Sequence, residues 1–510
     1  MLARVNTFSI DGLDTSRVTV EVDIRQGLPA FAVVGLGDAA IREARERVKA
    51  ALLNSGFSFP DRKIVANLAP AALRKGGSGF DLPIAVGILA ASGQVPADRL
   101  DELVVFGELS LTGALRPCRG ALAVAQATRA AGLHGLVVPR ARAREASLVE
   151  ELEILAPATL RDVADLLSGD DAGSSVPRDV PPQAADAEAP DHHLDFRDVR
   201  GHFGPIEALR VAAAGGHNVL MTGHPGTGKT MLARRIPSIL PAMTRSEAIE
   251  VTRIASMVGI HGGEGLVGRR PFRAPHHTVS ASGLVGGGSP PQPGEASLAH
   301  RGVLFLDELS EFSRVALEAL RQPLEDGRVA IVRGQQTALF PTRFMLVAAT
   351  NPCPCGFAGD ERCKCTETDH ARHTRRLSGP LLDRIDVVTA VERPSSEALA
   401  GPAGPDSSWI RASVVDARER QAARLEGTGV TCNAQMDSAL VRQHVRLDED
   451  GEAALAVAYE RNGLSARGHE RILKVARTVA DLARSDDVLA EHVHRAISLR
   501  GEQPVAEGVA

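Results

Sequence analysis

Aromatic side chains and lysine are scarce in this 510-residue chain, which has one Trp, one Tyr, 14 Phe and six Lys. Simple modules for single-stranded nucleic acid stack the bases on aromatic side chains, so this scarcity argues against that class. The net charge is −5, so the chain is not a polycation and any nucleic-acid contact needs a local basic surface. No apolar run reaches the roughly 18 residues that a membrane-spanning helix needs.

Cysteine is also rare, but four of the six cysteines lie between residues 353 and 365. The amino terminus has no charged segment followed by a long apolar stretch, so we predict no signal peptide and expect a cytoplasmic location. Clustered cysteines in a cytosolic chain indicate a metal site more often than disulfides. Four thiolates can complete a tetrahedral Zn²⁺ site, which we favour over free thiols and over disulfides. The predicted zinc ligands are Cys353, Cys355, Cys363 and Cys365.

The composition and periodicity of the chain change three times along its length. Strand-like and helix-like segments alternate in residues 1–166, which predicts an α/β or α+β domain with its own core. Residues 167–193 are rich in Gly, Asp, Ser and Pro, which predicts a flexible linker. Residues 194–395 are predicted to form an α/β nucleotide-binding core, and residues 396–510 have helical periodicity. The predicted fold class is therefore α/β, with a helical domain at the carboxyl end.

The most informative stretch is a glycine-rich loop that follows a strand-like run and precedes a helix-like run. It fits the pattern G-x-x-x-x-G-K-[ST], in which backbone N–H groups and the helix amino terminus surround a phosphate. The lysine of this pattern reaches the β- and γ-phosphates of ATP, and the hydroxyl binds Mg²⁺. We expect the following helix to stop at Pro237. The predicted ATP-binding residues are Gly223, His224, Pro225, Gly226, Thr227, Gly228, Lys229 and Thr230.

A second nucleotide-site element lies about eighty residues further along. An apolar strand over residues 302–306 ends in Asp307 and Glu308, and we expect Asp307 to hold Mg²⁺ through water and Glu308 to deprotonate the attacking water. The competing interpretation is a pair of acids at a helix amino terminus. Another buried strand, over residues 344–350, ends in Asn351, a candidate polar sensor of the γ-phosphate.

Three further predictions concern contacts around this core. Val199 is the best candidate for an apolar contact with the adenine ring. Residues 328–340 predict a hairpin with a polar, basic tip. Arg384 follows a basic run, and an arginine at a subunit edge can reach the γ-phosphate held by a neighbour, although a surface salt bridge is the competing interpretation.

Two stretches of the first domain, residues 75–85 and 107–113, resemble the Lon-protease-like domain at the front of magnesium-chelatase-like proteins. Lon proteases use a Ser–Lys dyad. The position of the nucleophile falls near Gly79, with Ser78 beside it, and the domain has no lysine after Lys75. Because a serine without a base within reach is not a nucleophile, we interpret the domain as non-proteolytic, with a role in assembly or partner contact.

The motifs at residues 270–278, 294–308, 351–356 and 378–386 resemble those of the YifB/ComM family of magnesium-chelatase-like AAA+ ATPases, and with the first domain the resemblance covers nearly the whole chain. It implies a ring hexamer with ATP between subunits, in which Asn351 is sensor 1, Arg384 the arginine finger and Arg467 sensor 2. It also implies that the carboxyl-terminal helices form a lid over the nucleotide. The chain departs from the family at His202, where Gln is expected.

As function, the resemblance implies a DNA helicase that drives branch migration of recombination intermediates in natural transformation. The likeness to the chelatase ATPase subunit gives an alternative, a motor that remodels a partner protein. A helicase predicts ATP hydrolysis stimulated by DNA, whereas a remodelling motor predicts stimulation by a protein. We expect DNA and further copies of the chain as partners, and no membrane. The residues expected to face a central pore are Arg333, Gln335, Gln336, His276 and His277.

Overall fold

The computed structural model describes residues 1–35, 38–70, 79–169, 194–260, 265–333, 336–376, 379–461 and 465–500. The chain divides into two compact units. Among the described residues, no helix is long and apolar enough to cross a membrane. The first unit comprises Met1–Ala187, Arg245–Gly268 and Ala330–Phe340, and the second comprises Glu188–Thr244, Arg269–Val329 and Pro341–Ala510.

The amino-terminal part of the chain forms a mixed sheet of seven strands in the order β3-β4-β2-β1-β5-β8-β9. The central pair β1–β2 is antiparallel, and β5, β8 and β9 continue the sheet in parallel. The elements up to residue 169 are β1 (Leu2–Asp11), β2 (Asp14–Arg25), β3 (Ala30–Val34), α1 (Asp38–Asn54), β4 (Lys63–Ala69), α2 (Asp81–Ala91), β5 (Leu103–Val105), β6 (Glu108–Leu109), β7 (Leu115–Arg116), α3 (Ala121–Ala130), β8 (Gly135–Val137), α4 (Ala143–Ala146), β9 (Glu153–Leu155) and α5 (Leu160–Ser168).

The alternation of strands and helices predicted for residues 1–166 is confirmed. Alternate residues of β2 point into the core, as its period-2 pattern predicts, and they pack against α2, whose side chains are all buried. One boundary differs from the sequence-based expectation: Leu167 and Ser168, assigned to the linker, complete α5. Leu167 is buried in the core, and the helix ends at Gly169, which has the left-handed conformation that favours glycine.

Beyond residue 194 the chain is an α/β sheet domain followed by helices, and these elements continue the numbering. They are α6 (Phe203–Gly215), β10 (Val219–Thr222), α7 (Lys229–Ile239), α8 (Arg245–Val258), β11 (Phe272–Arg273), α9 (Ala281–Val285), β12 (Gly286–Gly287), β13 (Gln292–Pro293), α10 (Glu295–Leu298), β14 (Val303–Leu306), α11 (Arg314–Ala319), α12 (Arg321–Asp326), β15 (Arg328–Arg333), β16 (Gln336–Pro341), β17 (Met345–Thr350), α13 (Glu367–Arg376), α14 (Gly379–Leu382), β18 (Val387–Ala390), α15 (Ser396–Ala400), α16 (Ser407–Arg424), α17 (Ser438–His444), α18 (Glu449–Arg461), α19 (Ala466–Leu482) and α20 (Ala490–Ser498).

Two segments from this later part of the chain belong to the first unit: α8 and most of the β15–β16 hairpin. The Ser256 hydroxyl of α8 donates a hydrogen bond to the buried carboxylate of Glu145. Ala338 of β16 packs against Gly12, where a Cβ would lie 2.9 Å from the Cβ of Ala338. The sequence predicts the hairpin itself but not the unit in which it is packed, because these contacts join residues more than a hundred positions apart.

The second unit is built on a parallel sheet of five strands in the order β11-β14-β17-β10-β18. In a parallel sheet the carboxyl ends of all strands meet at one edge, so the residues that follow β10, β14 and β17 lie close together. The helices α16 and α19 pack against α6 on this sheet, in one continuous core. The helical periodicity predicted for residues 396–510 is confirmed in α19, whose Ile472, Val475 and Ala476 are buried on one face.

One expectation for the helices of this unit was wrong, and some short helices were not predicted individually. Pro237 does not stop the helix after the glycine-rich loop, because α7 runs to Ile239 with Pro237 inside it. Proline removes one backbone hydrogen bond, but the helix ends only two residues later and the buried side chains of Ile236 and Ile239 hold its last turn in the core. The short helix α17, capped by Asp437, was not predicted.

Candidate nucleotide site

The glycine-rich loop connects β10 to α7, as its pattern predicts. Gly226 and Gly228 have φ angles of 76° and 97°, a region that side chains disfavour. At Gly223 the restriction is steric, because a Cβ there would lie 2.2 Å from the carbonyl oxygen of Val391. The Thr227 hydroxyl donates to the carbonyl of His224 at 2.9 Å and closes the loop.

Lys229 is held at the centre of the site. Its ammonium donates to the carbonyls of Gly223 at 2.6 Å and His224 at 2.9 Å, and to the side-chain oxygen of Asn351 at 3.1 Å. Burial lowers the pKa of Lys229, and the nearby carboxylates of Asp307 and Glu308 oppose that shift. The side chain is thus a buried cation that faces two carboxylates and a polar amide.

The acids that follow β14 adjoin the first residues of α7. The Thr230 hydroxyl donates to Asp307 at 2.6 Å, and the other carboxylate oxygen of Asp307 accepts the backbone N–H of Glu308 at 3.0 Å. Glu308 has a φ of 52°, a conformation that few non-glycine residues adopt. Its carboxylate lies 3.4 Å from Nδ1 of His277. A hydroxyl beside a carboxylate offers the oxygen ligands that Mg²⁺ prefers.

Lys229, Thr230, Asp307, Glu308 and Asn351 therefore meet at one edge of the sheet, contributed by the residues after β10, β14 and β17. Such a group can bind a phosphate chain with a cation, hold Mg²⁺, and present a carboxylate to a water molecule.

Comparison with known proteins finds matches along most of the chain. The family described as "Magnesium chelatase, subunit ChlI" matches residues 195–399, the family "Subunit ChlI of Mg-chelatase" matches residues 20–142, and the family "Magnesium chelatase, subunit ChlI C-terminal" matches residues 404–500. The YifB protein of Escherichia coli is 41% identical over 501 residues, which cover 98% of this chain and 97% of that protein.

The competence protein ComM of Haemophilus influenzae is 41% identical over 505 residues, covering 98% of this chain and 97% of its own. The chain belongs to the YifB/ComM family. Lon protease 2 of Bacillus subtilis is 27% identical over 242 residues, 40% of this chain and 43% of that protein. This member of the YifB/ComM family is thus a magnesium-chelatase-like AAA+ ATPase with a Lon-like part, and the family implies ATP and Mg²⁺ as its cofactors.

Two buried residues, Val199 and His202, precede the glycine-rich loop in the sequence. Val199 is buried in the core of the second unit. His202, where the YifB/ComM family is expected to have Gln, is also buried, and its Nε2 lies 3.3 Å from the position of a Cβ on Gly228. Burial lowers the pKa of His202, so its imidazole is neutral at pH 7. His202 and His277 both contact the site, and the sequence motif assigned no role to either in it.

The two arginines predicted to contact nucleotide, Arg384 and Arg467, are not among the five residues that meet at the sheet edge. The buried side chain of Arg384 pairs with Glu325 of α12. Arg467 is exposed in the first turn of α19. Burial lowers the pKa of Arg471, the carboxylates of Asp386 and Asp383 oppose that shift, and the charges of Arg384 and Arg467 add to it.

The four clustered cysteines converge as the zinc prediction requires. Their sulfur atoms all lie within 4.8 Å of one another. Cys353 is 3.4 Å from Cys355 and 3.9 Å from Cys363, and Cys355 is 3.7 Å from Cys363. Zn–S bonds of about 2.3 Å give sulfur–sulfur edges of about 3.8 Å in a tetrahedron. The four thiols therefore fit a Zn²⁺ ion, which would supply structural cross-linking.

The remaining residues singled out in the sequence belong to the first domain, the hairpin tip and the pair of histidines. Ser78 and Gln335 lie outside the described residues, as do the side chains of Arg333 and Gln336. A Cβ at Gly79 would lie 2.6 Å from the Phe106 ring, so that ring occupies the space a larger residue would need. Side by side in the second unit, His276 and His277 have ring centroids 4.1 Å apart.

Proposed function

We propose that this protein is a Mg²⁺-dependent, ATP-driven DNA helicase that acts as a hexameric ring in the cytoplasm and drives branch migration of recombination intermediates in natural transformation. The observation that carries the ATPase half is the meeting of Lys229, Thr230, Asp307, Glu308 and Asn351 at one sheet edge. The DNA half is supported by the family resemblance and by the full-length relative named a competence protein.

In this proposal each group of the site has one task. Lys229 binds the β- and γ-phosphates, Thr230 and Asp307 hold Mg²⁺, Glu308 removes a proton from the attacking water, and Asn351 contacts the γ-phosphate. The backbone N–H groups of residues 223–228 bind the remaining phosphate oxygens. The apolar segment at Val199 adjoins the adenine.

Assembly completes the site in the same scheme. Arg384 reaches the ATP of a neighbouring subunit as an arginine finger, and Arg467 contacts nucleotide from the lid. The domains are a non-proteolytic Lon-like domain that ends with α5 at Ser168, a linker up to residue 193, the AAA+ core (194–395) and the helical lid (396–510). The hairpin tip around Arg333, Gln335 and Gln336, and the pair His276 and His277, face the pore and contact DNA.

The four cysteines hold a structural zinc ion in this proposal. We expect one zinc per chain in the purified protein, measured by mass spectrometry of the metal content. Cys363→Ser should lower the zinc content, whereas Cys432→Ser, which changes an isolated buried cysteine, should leave it unchanged. A wild-type protein that neither contains nor takes up zinc would contradict the site.

The decisive experiment is ATP hydrolysis by the full chain with no DNA, with single-stranded DNA and with a branched junction. We expect DNA to stimulate hydrolysis, most strongly at the junction, and the stimulation to fall with rising salt because phosphate contacts release counterions. Glu308→Gln is the inactive control. The neighbouring exposed carboxylate Glu311 supplies the matched control, and Glu311→Gln should keep the wild-type rate.

A protein-remodelling motor is the second candidate, favoured by the magnesium chelatase profiles that match the chain. It predicts hydrolysis indifferent to every DNA tested and stimulated by a protein partner. Indifference to DNA, with Glu308→Gln still inactive, would therefore overturn the helicase and retain the ATPase.

A further inference from the structure

The segment Cys353–Cys365, called the cysteine loop from here on, lies directly against the glycine-rich loop between β10 and α7. That loop, with Lys229 and Thr230, is called the phosphate-binding loop from here on. Its Gly356 has a φ of 85°, and a Cβ at this position would lie 2.6 Å from two ring carbons of Pro225. Real Cβ atoms do not approach other atoms so closely, so only glycine allows this contact. The backbone of Gly356 therefore packs directly against the ring of Pro225.

A second contact lies one residue further along. The ring of Phe357 meets the imidazole of His224 edge-on, with centroids 5.7 Å apart. The guanidinium of Arg362 lies 4.4 Å from the centroid of the same Phe357 ring, and Asp360 holds Arg362 through two hydrogen bonds of 2.9 and 2.7 Å. Phe357 thus connects a fixed arginine of the cysteine loop to the phosphate-binding loop.

The cysteine loop is also fastened at both of its ends. Asn351, two residues before Cys353, accepts a hydrogen bond from Lys229. The carbonyl of Asn351 in turn accepts a hydrogen bond of 2.9 Å from Nε2 of His373, on the helix that follows the cysteine loop. The loop and its flanking residues therefore contact the phosphate-binding loop at three residues: His224, Pro225 and Lys229.

The cysteine loop has no regular secondary structure and little buried surface to fix its conformation. The structure describes all of residues 353–365; they form neither helix nor strand, and only Cys353 and Gly356 among them are buried. A thirteen-residue segment with so little buried surface does not offset the entropy of its own ordering. A metal ion on four thiolates supplies that free energy, as it does in small metal-dependent domains.

We propose that the cysteine loop is a metal-dependent brace of the ATP site: with its metal bound it holds His224 and Pro225 in place, and loss of the metal weakens nucleotide binding. The proposal deepens the ATPase function and rests on the zinc site proposed above. It makes Phe357 a positioning residue, which acts on the nucleotide through His224. DNA has no part in it.

The test measures the Kd of a fluorescent ATP analogue for the full chain with Mg²⁺ and without DNA. We expect Phe357→Ala to keep its zinc and raise the Kd about twofold to twelvefold, since an aromatic pair of this kind contributes about 0.5–1.5 kcal/mol. Removal of zinc by a zinc-selective chelator should raise the Kd of the wild type by at least as much. Phe57→Ala is the matched control, because Arg161 covers the Phe57 ring at the same 4.4 Å in the first unit.

The combination of both changes separates a brace from general damage. If Phe357 and the metal act through the same contact, chelation should add little to the Kd of Phe357→Ala, a coupling that independent effects do not produce. Additive effects would overturn the proposal, as would a wild-type Kd that zinc removal leaves unchanged. Stimulation by DNA tests the helicase separately, so the two proposals can fail independently.

Discussion

At the scale of single residues, the phosphate-binding loop depends on glycines at positions that other residues cannot readily occupy. Gly223 is the strictest of these, because the atom that a Cβ would meet is a backbone carbonyl of the loop after β18 and cannot rotate away. Gly226 is restricted only by its backbone angle, whereas a Cβ at Gly228 would also lie 3.0 Å from Cε of Met231 and 3.3 Å from Nε2 of His202, both on side chains that can move. The loop therefore contains two kinds of glycine, and they should respond differently to substitution.

We predict that Gly223→Ala abolishes measurable ATP binding, because the loop must move away from Val391 by more than an ångström. The matched control is Gly204→Ala in α6, where a Cβ meets nothing within 4 Å and where alanine favours the helix. Titration with a fluorescent ATP analogue measures both variants. Wild-type affinity in Gly223→Ala would contradict the steric argument.

The contact between His277 and Glu308 leads to a second residue-scale prediction. A contact of this kind between partly exposed side chains contributes up to about 1 kcal/mol, so losing the orientation it gives Glu308 should lower kcat up to about fivefold. We expect His277→Ala to do this with little change in KM, since the contact of His277 is with Glu308 and not with Lys229. His277→Asn places an amide near the position of Nδ1 and should restore most of the rate. Equal rates for the two variants would show that the contact does not orient Glu308.

At the scale of elements, α19 is joined to the sheet by a buried charged group. Asp386, just before β18, lies 3.3 Å from Nδ1 of His217 and 3.5 Å from Nε of Arg471. Burial alone would raise the pKa of Asp386, but the hydrogen bond from His217 and the charges of Arg471 and Lys474 lower it below its usual value. The carboxylate is therefore ionised, and it links the sheet to α19.

We predict that Asp386→Asn destabilises the second unit by about 3 kcal/mol at pH 7, because it leaves a buried guanidinium without its partner. A lowered carboxyl pKa contributes stability above the unfolded value of about 3.9, and the contribution is lost as the pH falls through the folded value. The difference between variant and wild type should therefore shrink below about pH 4.

Fluorescence of Trp409, the only tryptophan of the chain and part of the second unit, reports this unfolding in urea. The control is Asp416→Asn, which removes an exposed partner of Arg484 and should cost less than about 1 kcal/mol. A pH-independent difference for Asp386→Asn would contradict the assignment of its charge.

Local patterns predicted most of these elements, and long-range contacts account for what was missed. The period-2 alternation of β2 and the loop between β10 and α7 could be read directly, since both are defined by neighbouring residues. The pairing of His277 with Glu308, and the packing of α8 in the first unit, join residues distant in sequence and have no local signal. Pro237 shows the reverse case, in which a local rule was overridden by buried neighbours in the last turn of α7.

At the scale of the whole molecule, the relatives YifB and ComM each match 98% of this chain. Within one chain, Arg384 pairs with Glu325 of its own second unit. A ring would give this arginine a further role towards the neighbouring subunit, and that role can be tested by mixing subunits.

We predict that Arg384→Ala and Lys229→Ala are each inactive in ATP hydrolysis, and that mixing them restores part of the activity. Lys229→Ala cannot hold ATP but retains Arg384, whereas Arg384→Ala holds ATP but lacks the finger. Only a mixed interface, with Arg384 of one subunit beside the Lys229 site of the next, has both. Glu325→Gln, which removes the partner of Arg384 within the chain, is the control and should remain active if the pairing is not itself required. Failure of mixing to restore activity, with both variants folded and assembled, would assign Arg384 to the Glu325 salt bridge alone.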